Sequence, residues 1–152
     1  MKLLYEQLNG RNAHATALTL LEKLYGGPLP EIGRTKLGKP YFVDSPLHFS
    51  ISHTPHFVFV ALSDRPIGID AEETDRDIKL ALAEKLLSPG ELAQFQNAED
   101  KRLALLKFWV LKEAAGKCSG QGMQLWPNHT DFSLSDPRVQ EIAGCLVATI
   151  EE

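Results

Sequence analysis

His56-Phe57-Val58-Phe59-Val60-Ala61-Leu62, the turn Ser63-Asp64-Arg65, and then Pro66-Ile67-Gly68-Ile69-Asp70-Ala71-Glu72 form the stretch from which the fold is read. The first segment is apolar on both faces, which predicts a central buried strand over 56–63. The second predicts another strand, from about Pro66 to Glu72, and a further strand is expected around 47–52. Three strands in succession, with no helix between them, favour an α+β protein over a doubly wound parallel sheet.

Outward from this block, residues 2–8 predict a short opening strand. Ala17, Leu18, Leu21 and Leu24 follow helical spacing between Arg11 and about Tyr25, and Gly26-Gly27-Pro28 ends that helix. Residues 26–40 read as a loop carrying Arg34, Lys36 and Lys39. Downstream, 76–87 reads as a helix. Ser88-Pro89-Gly90-Glu91 reads as the next helix start, with Ser88 as N-cap and Glu91 closing a capping box. A long helix is expected over roughly 99–118, broken by Gly120 and Gly122, and Phe132 to Ile150 is expected to add strands. No repeat or second-domain boundary is visible, so residues 1–152 are read as one domain.

The formal net charge is −4, and no basic stripe of the kind that grips nucleic-acid phosphates is present. Cys118 and Cys145 lack the spacing of a zinc site. No apolar run approaches the ~20 residues that span a bilayer, and the N-terminus does not read as a signal peptide. The expectation is a cytoplasmic protein with neither nucleic-acid nor membrane partners.

Candidate chemistry begins with the carboxylates. Gly68, Asp70 and Glu72 share one face of their strand, and Ile67, Ile69 and Ala71 share the other. Two carboxylates on one face of an apolar strand repel each other, and a bound cation removes the conflict. Oxygen ligands without His or Cys suit Mg²⁺. Taken alone, Asp-x-Glu also fits a solvated strand end. Trp109, Glu113 and Lys117 recur at i, i+4 and i+8 on one side of the long helix. A surface Glu–Lys pair worth roughly 0.3–0.5 kcal/mol explains the charges but not the aromatic. If that face is buried, Glu113 needs a cation or donors, and Asp70, Glu72 and Glu113 together could supply the protein share of one Mg²⁺ site. Upstream, Gly38-Lys39-Pro40 and Ser52-His53 place phosphate-contacting residue types in loops, although a solvated Lys39 and a strand-capping His53 are equally ordinary.

In order, Gly38-Lys39-Pro40, Phe49-Ser50-Ile51-Ser52-His53, Gly68-Ile69-Asp70-Ala71-Glu72 and Trp109-Val110-Leu111-Lys112-Glu113-Ala114-Ala115-Gly116-Lys117 resemble the Sfp-type 4'-phosphopantetheinyl transferases. Gly120-Gln121-Gly122-Met123 is similar to the glycine pair that follows the helix in that family. The resemblance covers about residues 33 to 135. It implies the fold of that family, with pseudo-two-fold halves. Here the first half (1–65) is shortened, and the second (66–152) carries the Mg²⁺ ligands.

The resemblance also implies an activity: transfer of 4'-phosphopantetheine from coenzyme A to a serine of an apo acyl or peptidyl carrier protein, with adenosine 3',5'-bisphosphate released. Asp70, Glu72 and Glu113 would hold Mg²⁺, with Asp70, Glu113 and Lys117 forming the catalytic set. Glu113, or a water it orients, would be the base. Lys117, with Lys112 as alternative, would stabilise or protonate the leaving group. Lys39, Pro40, Ser52, His53, Lys112 and Lys117 would contact coenzyme A. The chain departs from the family in having only 37 residues before Gly38. Ala15 stands where the family usually has an arginine, and Arg11 or His14 could substitute.

Ile78, Leu82, Leu86 and Leu87, flanked by Lys79 and Lys85, fall where the family docks its carrier. A monomer is expected in preference to a homo-oligomer, because the motifs from Gly38 to His53 are present in the same chain. Two rival readings remain: a non-catalytic coenzyme A- or carrier-binding protein of the same fold, and a Mg²⁺-dependent nuclease.

Overall fold

A computed structural model describes residues 1–122 and 131–152. The chain opens with β1 (Lys2–Gln7) and α1 (Ala13–Tyr25), followed by the short strands β2 (Ile32–Arg34) and β3 (Pro40–Phe42). Next come β4 (His48–His53), β5 (Phe57–Ser63) and β6 (Ile67–Glu73). A 3-10 turn (Leu80–Leu82) leads into α2 (Ala83–Leu86), α3 (Pro89–Asn97) and α4 (Lys101–Ser119), and β7 (Val139–Ile142) and β8 (Cys145–Glu151) close the chain. The architecture is mixed α+β.

Helix ends follow from capping chemistry. Asn12 accepts from the Ala15 N–H at the start of α1, and Asp100 accepts from that of Leu103 at the start of α4. The capping box of Ser88 and Glu91 forms as expected. Gly120 ends α4 in the left-handed conformation, at φ 75°.

Two expectations are corrected. The 76–87 segment is not one helix but an extended stretch, a 3-10 turn and the single turn of α2. The Arg102 guanidinium takes the Thr74 and Arg76 carbonyls at 2.6 and 3.0 Å, which ties the start of the segment down outside a helix. Pro89 then keeps Ser88 extended. The 26–40 segment is not wholly loop, because Ile32–Arg34 pairs antiparallel with β3.

The first three-stranded sheet has the order β1-β5-β4 and the second β6-β8-β7, all pairs antiparallel. Strand alternation distributes the core. Val58, Val60 and Leu62 meet α1, whereas Phe59 and Ala61 meet Ile67, Ile69 and Ala71 of β6 and Cys145 and Val147 of β8. On the far side of the second sheet, Leu146, Ala148 and Ile150 pack with Leu105, Phe108 and Leu111 of α4. The layers therefore run α1, first sheet, second sheet, α4.

β4 and β6 are the facing edges of the two sheets. Instead of a backbone ladder, the Ile69 and Ala71 N–H groups donate to the Ser50 and Ser52 hydroxyls, both at 3.0 Å. These contacts satisfy two edge donors that burial would otherwise leave orphaned. Across the second sheet, α4 lies so close to β6 that a Cβ on Gly68 would stand 1.9 Å from the Ala114 carbonyl oxygen. Among the described residues, no helix is long and apolar enough to cross a membrane.

Candidate active site

The site lies where β4, β6 and α4 converge. Strand alternation turns Gly68, Asp70 and Glu72 toward α4, and the glycine lets the helix settle onto the strand. That close approach brings Glu113 and Lys117 beside Asp70. The Lys117 ammonium donates to Asp70 Oδ1 at 2.9 Å, to the Ile69 carbonyl at 3.0 Å and to the Ile51 carbonyl at 3.4 Å. The Ser52 hydroxyl also reaches Asp70 Oδ1, at 3.4 Å. Asp70 is 6% exposed, and its Oδ2 is buried with no protein partner.

The three carboxylates are electrostatically coupled. Burial raises the Asp70 pKa, against the opposing effect of Lys117. Burial also raises Glu113, and the Asp70 and Glu72 charges add to it. Glu72 is raised by burial and by Asp70, with Arg76 working in the other direction. Arg76 donates to Glu72 Oε1 at 2.6 Å, and its guanidinium sits 5.1 Å from the centre of the Trp109 ring.

A cleft of about 240 Å³ opens beside this set. Lys39 and Pro40 line it from the first sheet's side, with Ser50 and Ile51 of β4, and Glu113, Gly116 and Lys117 of α4 complete it. The Lys39 ammonium donates to the Cys118 carbonyl, tying the Gly-Lys-Pro loop to the end of α4. Burial lowers the Lys39 pKa. The cleft thus presents cations on its walls beside a carboxylate set, an arrangement suited to a phosphate-bearing ligand held with a hard divalent cation.

The donor chemistry fits such a cation: oxygen ligands, an orphaned buried carboxylate oxygen, and three carboxylates that destabilise one another's charge. As they stand, no three Asp, Glu, His or Cys side chains among the described residues converge closely enough to hold an ion. Asp70 Oδ1 is engaged by Lys117, and Glu72 by Arg76.

The structure brings Lys39, Pro40, Glu113 and Lys117 to one cleft and sets Asp70 and Glu72 beside it. It does not bring the others there in the expected way. Lys112, expected to contact coenzyme A, is 3% exposed and pairs at 2.7 Å with the fully buried Glu91. It lies five residues from Lys117, about 140° around the helix, and belongs to the α3–α4 core. The Ser52 hydroxyl faces the seam between the sheets rather than the cleft. His53 is exposed at the end of β4 and is not among the cleft-lining residues.

Arg11 is committed to the Leu8 and Gln7 carbonyls and to Glu6. Ile78, Leu86 and Leu87 are buried in the α4 core, with Leu82 packed against it, so they form no exposed groove. Met123 lies outside the described residues.

Sequence reasoning missed Ser50 and Arg76. Arg76 follows Glu72 at i+4, a spacing open to being read, but nothing local indicates that the two side chains meet on Trp109. Ser50 follows a strand pattern whose inward polar residues have no local explanation.

A family model described as the 4'-phosphopantetheinyl transferase superfamily matches residues 66–150. The chain is 34% identical over 94 residues to 4'-phosphopantetheinyl transferase gsp of Aneurinibacillus migulanus, covering 60% of this chain and 39% of that one. It is 34% identical over 109 residues to 4'-phosphopantetheinyl transferase psf-1 of Bacillus pumilus, covering 68% and 46%. It is also 34% identical over 123 residues to 4'-phosphopantetheinyl transferase Sfp of Bacillus subtilis, covering 75% and 54%. The chain spans about half the length of the curated relatives it matches.

Proposed function

Because the chain belongs to the 4'-phosphopantetheinyl transferase superfamily, we propose that it transfers the 4'-phosphopantetheine arm of coenzyme A to a serine of an apo acyl or peptidyl carrier protein. The bond formed joins the serine Oγ to the β-phosphorus. The bond broken releases adenosine 3',5'-bisphosphate. The observation that carries this reading is the convergence of Lys39, Glu113 and Lys117 on one cleft beside the buried Asp70. Such a cleft holds a pyrophosphate between ammonium groups and a cation-binding carboxylate set.

In this reading Asp70, Glu72 and Glu113 hold Mg²⁺, which, when bound, supplies positive charge against the pyrophosphate. Glu113 accepts the serine proton, directly or through a water it orients, and the burial that raises its pKa makes it a stronger base. Lys117 neutralises or protonates the departing phosphate, Lys39 contacts the phosphates of coenzyme A from the cleft wall, and His53, outside the cleft at the exposed end of β4, contacts a phosphate that projects beyond it. Ser52 acts one step back, holding the β6 backbone and Asp70 in place. We read the two sheet–helix units as the pseudo-two-fold halves of the family fold, the first of them shortened.

Incubation with coenzyme A, Mg²⁺ and apo carriers of fatty-acid, polyketide and peptide-synthetase type tests this by mass spectrometry. The expected result is a gain of one phosphopantetheine arm, abolished by EDTA or by Glu113→Ala. No gain on any carrier refutes the proposal.

A further inference from the structure

Three carboxylates and two cations meet at the site: Asp70 with Lys117, Glu72 with Arg76, and Glu113 between them electrostatically. Arg76 is held from several directions. Its side chain donates to Glu72 at 2.6 Å and lies over Trp109 at 5.1 Å. Its backbone carbonyl and that of Thr74 are gripped by Arg102 from α4. The Glu72 carboxylate also accepts from the Trp109 side chain, so Arg76 and Trp109 together hold Glu72 in its present orientation.

We propose that Arg76 is the resident counter-cation of Glu72, and that a divalent cation binds only by drawing Glu72 away from it. Arg76 thereby sets the metal affinity of the site. The inference rests on the proposed metal role of these carboxylates.

Charge fixes the direction of the effect. With Lys117 and Arg76 both in place, the three ionised carboxylates leave a formal charge of minus one, so a divalent cation alone meets weak net attraction. A ligand bringing its own pyrophosphate changes that balance. Without Arg76 the set carries minus two, and Glu72 keeps its contact with Trp109. Metal binding then gains both a larger field and a carboxylate no longer held by a competitor.

Titration calorimetry with Mg²⁺ alone, on the full chain, reads this directly. Arg76→Met is expected to tighten Mg²⁺ binding roughly twofold to fivefold, the range expected for losing one partly exposed ion pair. Arg76→Lys, which keeps the charge, is expected to bind as the wild type does. Arg76→Gln loses the charge but keeps a donor for Glu72, and it is expected to tighten binding as well. It serves in place of the methionine variant should that one fail to fold, as judged by circular dichroism.

Equal or weaker Mg²⁺ binding by a folded, charge-removed variant overturns the inference, as does the absence of Mg²⁺ binding to every protein tested. Carrier modification is scored separately by mass. Modification without an Arg76 effect on affinity defeats the inference and leaves the transferase reading intact. An Arg76 effect without modification of any carrier does the reverse.

Discussion

The Lys117 ammonium donates to Asp70 and to the carbonyls of Ile51 and Ile69, so one side chain from α4 joins the edge strands of both sheets at a buried carboxylate. Lys117→Met leaves Asp70 buried with only the long Ser52 contact and leaves two edge carbonyls without this donor. Loss of about 1–3 kcal/mol of unfolding free energy is expected, together with loss of carrier modification. Urea denaturation separates the two effects, because a merely destabilised protein recovers its rate once the folded fraction is taken into account.

The pH dependence of stability is expected to run opposite to that of an acid whose pKa is lowered on folding. Asp70, Glu72 and Glu113 all have pKa values raised above their ordinary ones, with burial the leading cause. The folded chain therefore binds protons more tightly than the unfolded chain. The stability these groups contribute is present below the ordinary carboxylate range and is lost as pH rises through their raised folded values. Thermal melts from acid to neutral pH without divalent cation check this: relative to Asp70→Asn, the wild type should lose stability as pH rises. Added Mg²⁺ should restore it, by relieving the repulsion among the three charges.

Gly68→Ala tests how closely α4 must approach β6. The new Cβ would meet the Ala114 carbonyl oxygen at 1.9 Å and the Cys118 nitrogen at 2.5 Å, both backbone atoms that no side-chain rotation can move aside. A loss of at least about 1–3 kcal/mol is expected. A rate defect should persist in the folded fraction, because Glu113 and Lys117 ride on the displaced helix. Unchanged melting and unchanged carrier modification would contradict the placement of α4.

Lys112 and Glu91 form a buried ion pair on another face of α4. Glu91 also accepts from the Ser88 and Phe132 N–H groups, so removing Lys112 leaves a partly satisfied charge in an apolar core. Lys112→Met is expected to lose about 3–5 kcal/mol, with the KM for coenzyme A unchanged in the fraction that folds. A stable variant with a raised KM would instead return Lys112 to the ligand.

Much of the frame is legible locally. An apolar strand such as 56–62 announces its burial through its own side chains, and Ser88 and Glu91 satisfy each other's backbone within three residues. Helical period places Trp109, Glu113 and Lys117 on one face. The failures share a cause. Lys112 and Lys117 are equally basic and lie on one helix, and only the element packed against each decides that one meets Glu91 and the other Asp70. The 76–87 segment has residues compatible with a helix, yet Arg102 on another element takes the carbonyls of Thr74 and Arg76 at its start.

The sequence by itself determined most of the elements, the α+β class and the carboxylate face of β6, because those follow from side-chain period and capping within a few residues. Only the tertiary structure decided that Ser50 and Ser52 close the seam between the sheets, that Lys117 reaches the edge strands of both sheets, and that one oxygen of Asp70 is left buried without a protein partner. Those depend on where the edges of two sheets and one helix meet, and contacts between residues 18 to 66 positions apart leave no trace in local period.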